Sequence, residues 1–128
     1  MPKLIPYKLE LSPRDGYLYA RIECDKITEA ISRDYLGRIR KECDDHGLSR
    51  VLIDRYIPHV TETVAKYAIA STSVDILSRV KTAWVNPFPK NREMLEFAML
   101  VANNRGAMYG VFDTVAEAEQ WLQNDGSA

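Results

Sequence analysis

The sequence predicts an α/β fold, a five-stranded, mixed and mostly parallel sheet with four helices in the order ββαβαβαβα. Three observations predict it. Two alternating segments near the N-terminus flank a proline and an Asp-Gly pair, the apolar period then lengthens to that of a helix, and each later short apolar run is followed by a helical pattern. Strand and helix taking turns after an initial hairpin call for parallel strands joined by right-handed crossovers.

The elements follow in order. "YKLEL" sets Tyr7, Leu9 and Leu11 against Lys8 and Glu10, the period of a half-buried strand. "SPRDG" then reads as a tight turn. "YLYARIEC" places Leu18, Ala20, Ile22 and Cys24 on one face and Tyr17, Tyr19, Arg21 and Glu23 on the other. That second face reads as too polar to be fully covered, which puts the hairpin at one side of the sheet. Ile27, Ile31, Tyr35, Ile39 and Cys43 then make one helical stripe, with Thr28 as its cap and Gly47 as its left-handed stop.

"RVLIDRY" is a short unalternating run suited to a central parallel strand. A helix is expected from about Thr61, packing through Val64, Ala65, Ala68 and Ile69. The serines and β-branched residues of "STSVDILSRV" weaken its far end. "KTAWV" is the next strand, closed by "NPFPKN", whose prolines forbid a regular element. "REMLEFAMLVANN" is periodic through Met94, Leu95, Phe97, Ala98, Leu100 and Val101. "AMYGVF" is the last strand and "DTVAEAEQWLQN" the last helix, capped by Asp113 or Thr114, with Val115, Ala118, Trp121 and Leu122 inward. In "NNRG" the better reading is a helix stop at Gly106, with Arg105 at the carbonyl end, since phosphate prefers the opposite end of a helix.

The length of 128 residues suits a single domain spanning 1–128, with a frayed tail from about residue 124. Seventeen basic against eighteen acidic residues leave a net charge of −1, so no global field favours nucleic acid or an anionic membrane. Lys3, Pro6, Lys8 and Glu10 break up the N-terminus, and nothing approaches the roughly 18 apolar residues of a membrane span. Cys24 and Cys43, with no CxxC pair, read as buried thiols of a reduced, cytoplasmic protein.

The element order, together with "VANNRGAMYGVFDTVAEAEQWL", resembles the STAS-like (SpoIIAA-like) family of small bacterial domains related to anti-anti-sigma factors. The residues that carry the resemblance are Asn104, Arg105 and Gly106, then Val111, Phe112 and Asp113, then Ala118, Trp121 and Leu122, with "RVLIDRY" and "KTAWV" similar to the family's central strands. The resemblance implies a regulatory, protein-binding role. In the family's switch proteins the central strand ends in an Asp and leads to an Asp-Ser-Ser-Gly turn with a phosphorylated hydroxyl. Here Asp54 holds the strand position, but "RYIPHVTETV" follows, leaving Thr61 and Thr63 as the nearby hydroxyls.

In open α/β sheets ligands meet the loops beyond the carboxyl ends of the strands. The loop after the first parallel strand concentrates Asp54, Arg55, Tyr56, His59, Thr61 and Glu62. It reads as a partner or ligand contact, with Arg55 as an anion hook and Tyr56 as a stacking surface, or as a solvated loop with Thr61 as a helix cap. If a kinase acts here, Thr61 is the favoured site, because a helix start stabilises phosphate. Phe88, between two prolines, is an interaction tip or folds back on its domain. Tyr17 and Tyr19 with Tyr7 could form a homodimer surface or a tolerated amphipathic one. No metal or other cofactor is implied, because Cys43 and His46 supply only two ligands and Cys43 belongs to the packing stripe. A carrier of a small apolar or lipid-like ligand is the second reading. An enzyme using Asp54 and His59 is the third, without a nucleophile elbow, Walker loop, GxGxxG or zinc signature.

Overall fold

The computed structural model describes residues 7–59 and 68–124. Strands β1 (Tyr7–Arg14), β2 (Tyr17–Cys24), β3 (Arg50–Tyr56), β4 (Lys81–Val85) and β5 (Met108–Phe112) form one sheet in sequential order. Only β1 and β2 are antiparallel. The helices described are α1 (Glu29–His46), a π-helical stretch Ala68–Ser73 leading into the short α2 (Val74–Ile76), α3 (Arg92–Asn104) and α4 (Val115–Gln123). A 3-10 turn Pro89–Asn91 precedes α3 in the segment whose prolines are expected to forbid a regular element, Pro89 being tolerated at the first position of the turn. The expected fold is therefore present.

Handedness explains the layering. Parallel strands laid down in sequential order, with every crossover right-handed, put all connecting segments on the same face. α1, α2 and α3 accordingly pack on one core with Leu18, Ile22, Val51, Ile53, Trp84 and Tyr109. α4 connects nothing further in the sheet and lies on the opposite face, over Tyr17, Leu52, Ala83 and Val85.

Local chemistry fixes the ends. The Thr28 hydroxyl accepts from the Ile31 amide at 3.1 Å, and α1 stops at Gly47 in the left-handed region. Thr114 caps α4 by accepting from the Glu117 amide at 3.2 Å. The start of the second helix, with Thr61, Val64 and Ala65, lies outside the described residues. Its end is helical to Ile76, by way of a π turn that accommodates the residues of poorer α propensity.

"NNRG" is a helix stop. α3 ends at Asn104, and Gly106 takes φ 98, a conformation open to glycine and strained for other residues. Asn103 adds a feature absent from the expectation. Its side-chain amide donates to the Tyr109 carbonyl at 3.0 Å and accepts from the Tyr109 amide at 2.9 Å, holding the outer edge of β5. Gly110 matters for a different reason, since a Cβ there would stand 2.9 Å from the Phe112 ring and 3.3 Å from Trp121.

Three packing expectations need correction. Tyr17 is buried, because α4 reaches across to it and Glu119 accepts its hydroxyl at 2.7 Å. The helical stripe of α3 runs through Leu95, Ala98, Met99 and Ala102, which leaves Phe97 and Leu100 more than half exposed. Trp121 is only half-buried, lying on Phe112 and under the Lys81 ammonium group.

Candidate functional site

The nine residues of α4 make a helix about 13 Å long, whereas five strands spaced about 4.8 Å apart span about 19 Å. Coverage therefore thins toward the hairpin. The cluster beneath the helix takes Ala83 and Val85 from β4, Leu52 from β3 and Tyr17 from β2, with Tyr19 partly buried at its margin. The rest of that face, at the carboxyl ends of β2 and β3, is open. Strand register places Arg21 beside Asp54 and Glu23 beside Tyr56 on it.

Asp54 is the fixed point of this surface. Its Oδ2 accepts from the Tyr19 hydroxyl at 2.7 Å and from the Arg21 guanidinium at 3.3 Å, and Arg21 also pairs with Glu23 at 3.1 Å. Burial and the Asp54 hydrogen bond push the Tyr19 hydroxyl up to about 12. Burial opposes the charge on Arg21, but Glu23 and Asp54 outweigh it, so its pKa rises. The Arg21 guanidinium lies 5.1 Å from the centre of the Tyr56 ring, and the Phe88 ring meets Tyr56 edge-on at 5.0 Å. Tyr56 is thus held between a cation and an aromatic while 44% exposed.

Two buried asparagines hold the loops beneath these rings. Asn86 donates through its side chain to the Phe88 carbonyl at 2.9 Å and accepts from the Phe88 amide at 3.3 Å. Asn91 donates to the carbonyls of Ile57 and Pro58, both at 3.3 Å, tying the loop after β4 to the loop after β3. Phe88 is therefore fixed against its own domain, half-buried, with Tyr56 as its neighbour.

Of the residues expected to share this site, the structure brings together Asp54, Tyr56 and Phe88. Arg55 is elsewhere. One residue along a strand reverses the face, so Arg55 points under the helices, 2% exposed, and cannot be a surface anion hook. His59 is exposed and stands 4.0 Å from Asp25, while Asp54 is engaged by Tyr19 and Arg21, so the two proposed acid/base groups have different partners. Thr61 lies outside the described residues. The supposed tyrosine surface divides: Tyr7 packs beside Tyr35 on the helix side, Tyr17 is buried under α4, and Tyr19 remains on the open face. Cys43 is buried, with burial pushing its thiol up to about 11, while His46 faces Glu42 on the exposed side.

Sequence reasoning missed Arg21, Glu23, Asn86 and Asn91 as parts of the site. The alternation of β2 already placed Arg21 and Glu23 on one face, but only the parallel register brings them to Asp54 and Tyr56. Beside them an open cleft of about 510 Å³ is bordered by Tyr7, Lys8, Glu23, Cys24, Asp25 and Tyr56. Its walls are mostly apolar, with Lys8, Glu23 and Asp25 supplying charge among them.

No protein-family model matches the sequence, and no curated protein matches it. Among solved structures the chain is similar to the crystal structure of an anti-sigma factor antagonist from Mycobacterium paratuberculosis, with a TM-score of 0.61 and 11% identity. The match covers 92% of this chain and 95% of that one. At that identity the likeness is one of fold, and the fold is STAS-like.

Proposed function

We propose that this chain is a non-enzymatic regulatory module acting in the cytoplasm, and that it meets a protein partner with the surface built by Arg21, Asp54, Tyr56 and Phe88. One observation carries the reading: an exposed tyrosine is locked between a guanidinium and a second aromatic by a hydrogen-bonded framework, at the carboxyl ends of parallel strands. Arg and aromatic side chains are enriched in protein interfaces, and a pre-ordered set loses little side-chain entropy on binding. The fold likeness supports the reading, since the similar structure is an anti-sigma factor antagonist, a protein whose name describes action on another protein.

The test is an affinity pull-down with the wild type, Tyr56→Ala and Arg21→Glu, each checked by circular dichroism. The reading expects both variants to fold and to lose the same captured protein. Retention of every wild-type partner by both variants would overturn it. Native mass spectrometry of the purified chain addresses the carrier reading, which requires a co-purifying small molecule.

A further inference from the structure

The helix-covered face carries a second polar constellation, separate from the partner surface. At the carboxyl end of β3, where Val51 and Ile53 precede it on the same face, the chain places Arg55. Its guanidinium has five N–H donors. Among the described residues its one hydrogen bond runs from Nη1 to the Tyr35 hydroxyl at 3.3 Å, and its other neighbour is the Trp84 ring, centred 6.0 Å away. No carboxylate of the described residues pairs with it, and Asp54, the nearest acid in sequence, faces the opposite side of the sheet.

Trp84 supplies an independent observation. It is fully buried on β4, and among the described residues its indole Nε1 has no hydrogen-bond partner. The Tyr109 ring meets it edge-on at 5.4 Å, but the Tyr109 hydroxyl is turned to Ser73 Oγ at 2.9 Å. The interior here is rich in donors and poor in acceptors. Among the described residues, a buried cation with no anion stands beside a buried N–H with no acceptor, a costly arrangement for packing alone.

An anionic group satisfies both at once. We propose that Arg55 and Trp84 form a seat for the carboxylate or phosphate group of a small ligand, under the crossover helices at the carboxyl ends of β3 and β4. Arg is suited to planar, bidentate recognition of such oxygens. The open cleft lies one side-chain layer away: Tyr7 borders it and packs edge-on against Tyr35, the partner of Arg55.

The experiment is thermal denaturation of the full chain with increasing acetate or inorganic phosphate, ionic strength being matched with chloride. It is repeated on Arg55→Met, which removes the charge at similar length, and on Trp84→Phe, which removes the N–H and keeps an aromatic ring. The wild type should show a saturable rise in Tm with at least one anion, and the one that acts identifies the head group. Arg55→Met should lose the response, and Trp84→Phe should weaken the apparent affinity about tenfold, the effect of one charge-assisted hydrogen bond. No rise beyond the chloride control in the wild type overturns the proposal, as does an undiminished response in Arg55→Met. Should Arg55→Met fail to fold, Trp84→Phe decides, and an unchanged affinity there overturns the proposal.

Discussion

Asp54 and Arg55 are adjacent in sequence and sit in opposite environments. Asp54 points to the less covered face, where it is buried beneath Tyr19 and Arg21, both of which donate to it. Arg55 looks under three helical segments, among Tyr35, Trp84 and Ile57. The covered face is continuous from α1 to α3, whereas the other is closed only as far as one short helix reaches. The difference teaches where each kind of interaction has leverage. A polar group on the covered face needs every donor and acceptor matched. On the open face water can satisfy what the protein leaves unpaired, so an exposed group such as Tyr56 can serve recognition at little cost to folding.

Substitutions sharpen or break this contrast, beginning with the largest effect. Trp84→Ala should cost about 3–5 kcal/mol in urea denaturation, as truncation of buried aromatics does. A loss below about 1 kcal/mol would mean the covered face is not the tightly packed one. Trp121→Ala, on the half-covered face, should cost roughly half as much, about 2 kcal/mol, through lost contact with Phe112 and Lys81. If it matched Trp84→Ala, α4 would be packing the second face as completely as the crossover helices pack the first.

A pH series probes the boundary between the two regimes. The Tyr19 hydroxyl has its pKa raised from 10.0 to about 12 in the fold, by burial first and then by Asp54. Its contribution is therefore fully present below pH 10 and lost as pH rises toward 12. Tm should fall through that window, and Tyr19→Phe should make the fall shallower. Tyr7, Tyr17, Tyr35 and Tyr109 are raised as well, so part of the slope should persist. An identical slope in Tyr19→Phe would remove the Tyr19–Asp54 bond as an anchor of the open face. The smallest expected change in folding belongs to Tyr56→Ala, at under about 1 kcal/mol in the same denaturation assay. A larger loss would make Tyr56 a packing residue.

These contrasts also explain what could be read from the sequence. The hairpin, the α1 stripe, the Thr28 and Thr114 caps and the Gly106 stop are local patterns with local causes, and each was legible. The location of Arg55 depended on strand parity. "RVLIDRY" reads as an unbroken apolar run because Leu52 is buried under α4 while Val51 and Ile53 are buried under the crossovers. With both faces apolar, the alternation that assigns Asp54 and Arg55 to opposite sides is invisible. Tyr17 escaped for a related reason, since the reach of α4 across three strands is a tertiary fact. The assembly of Arg21, Tyr56 and Phe88 joins three segments and follows from register, which no single segment carries.

The Asn103 side chain has a consequence for self-association. By pairing with both the N–H and the C=O of Tyr109, it performs for one residue what a sixth strand would do. A foreign strand would have to displace it before pairing with β5 at Tyr109, whereas β1, at the other end of the sheet, has β2 as its one strand neighbour among the described residues. The side chain therefore makes edge-to-edge addition at Tyr109 costlier than at an unguarded position of the strand.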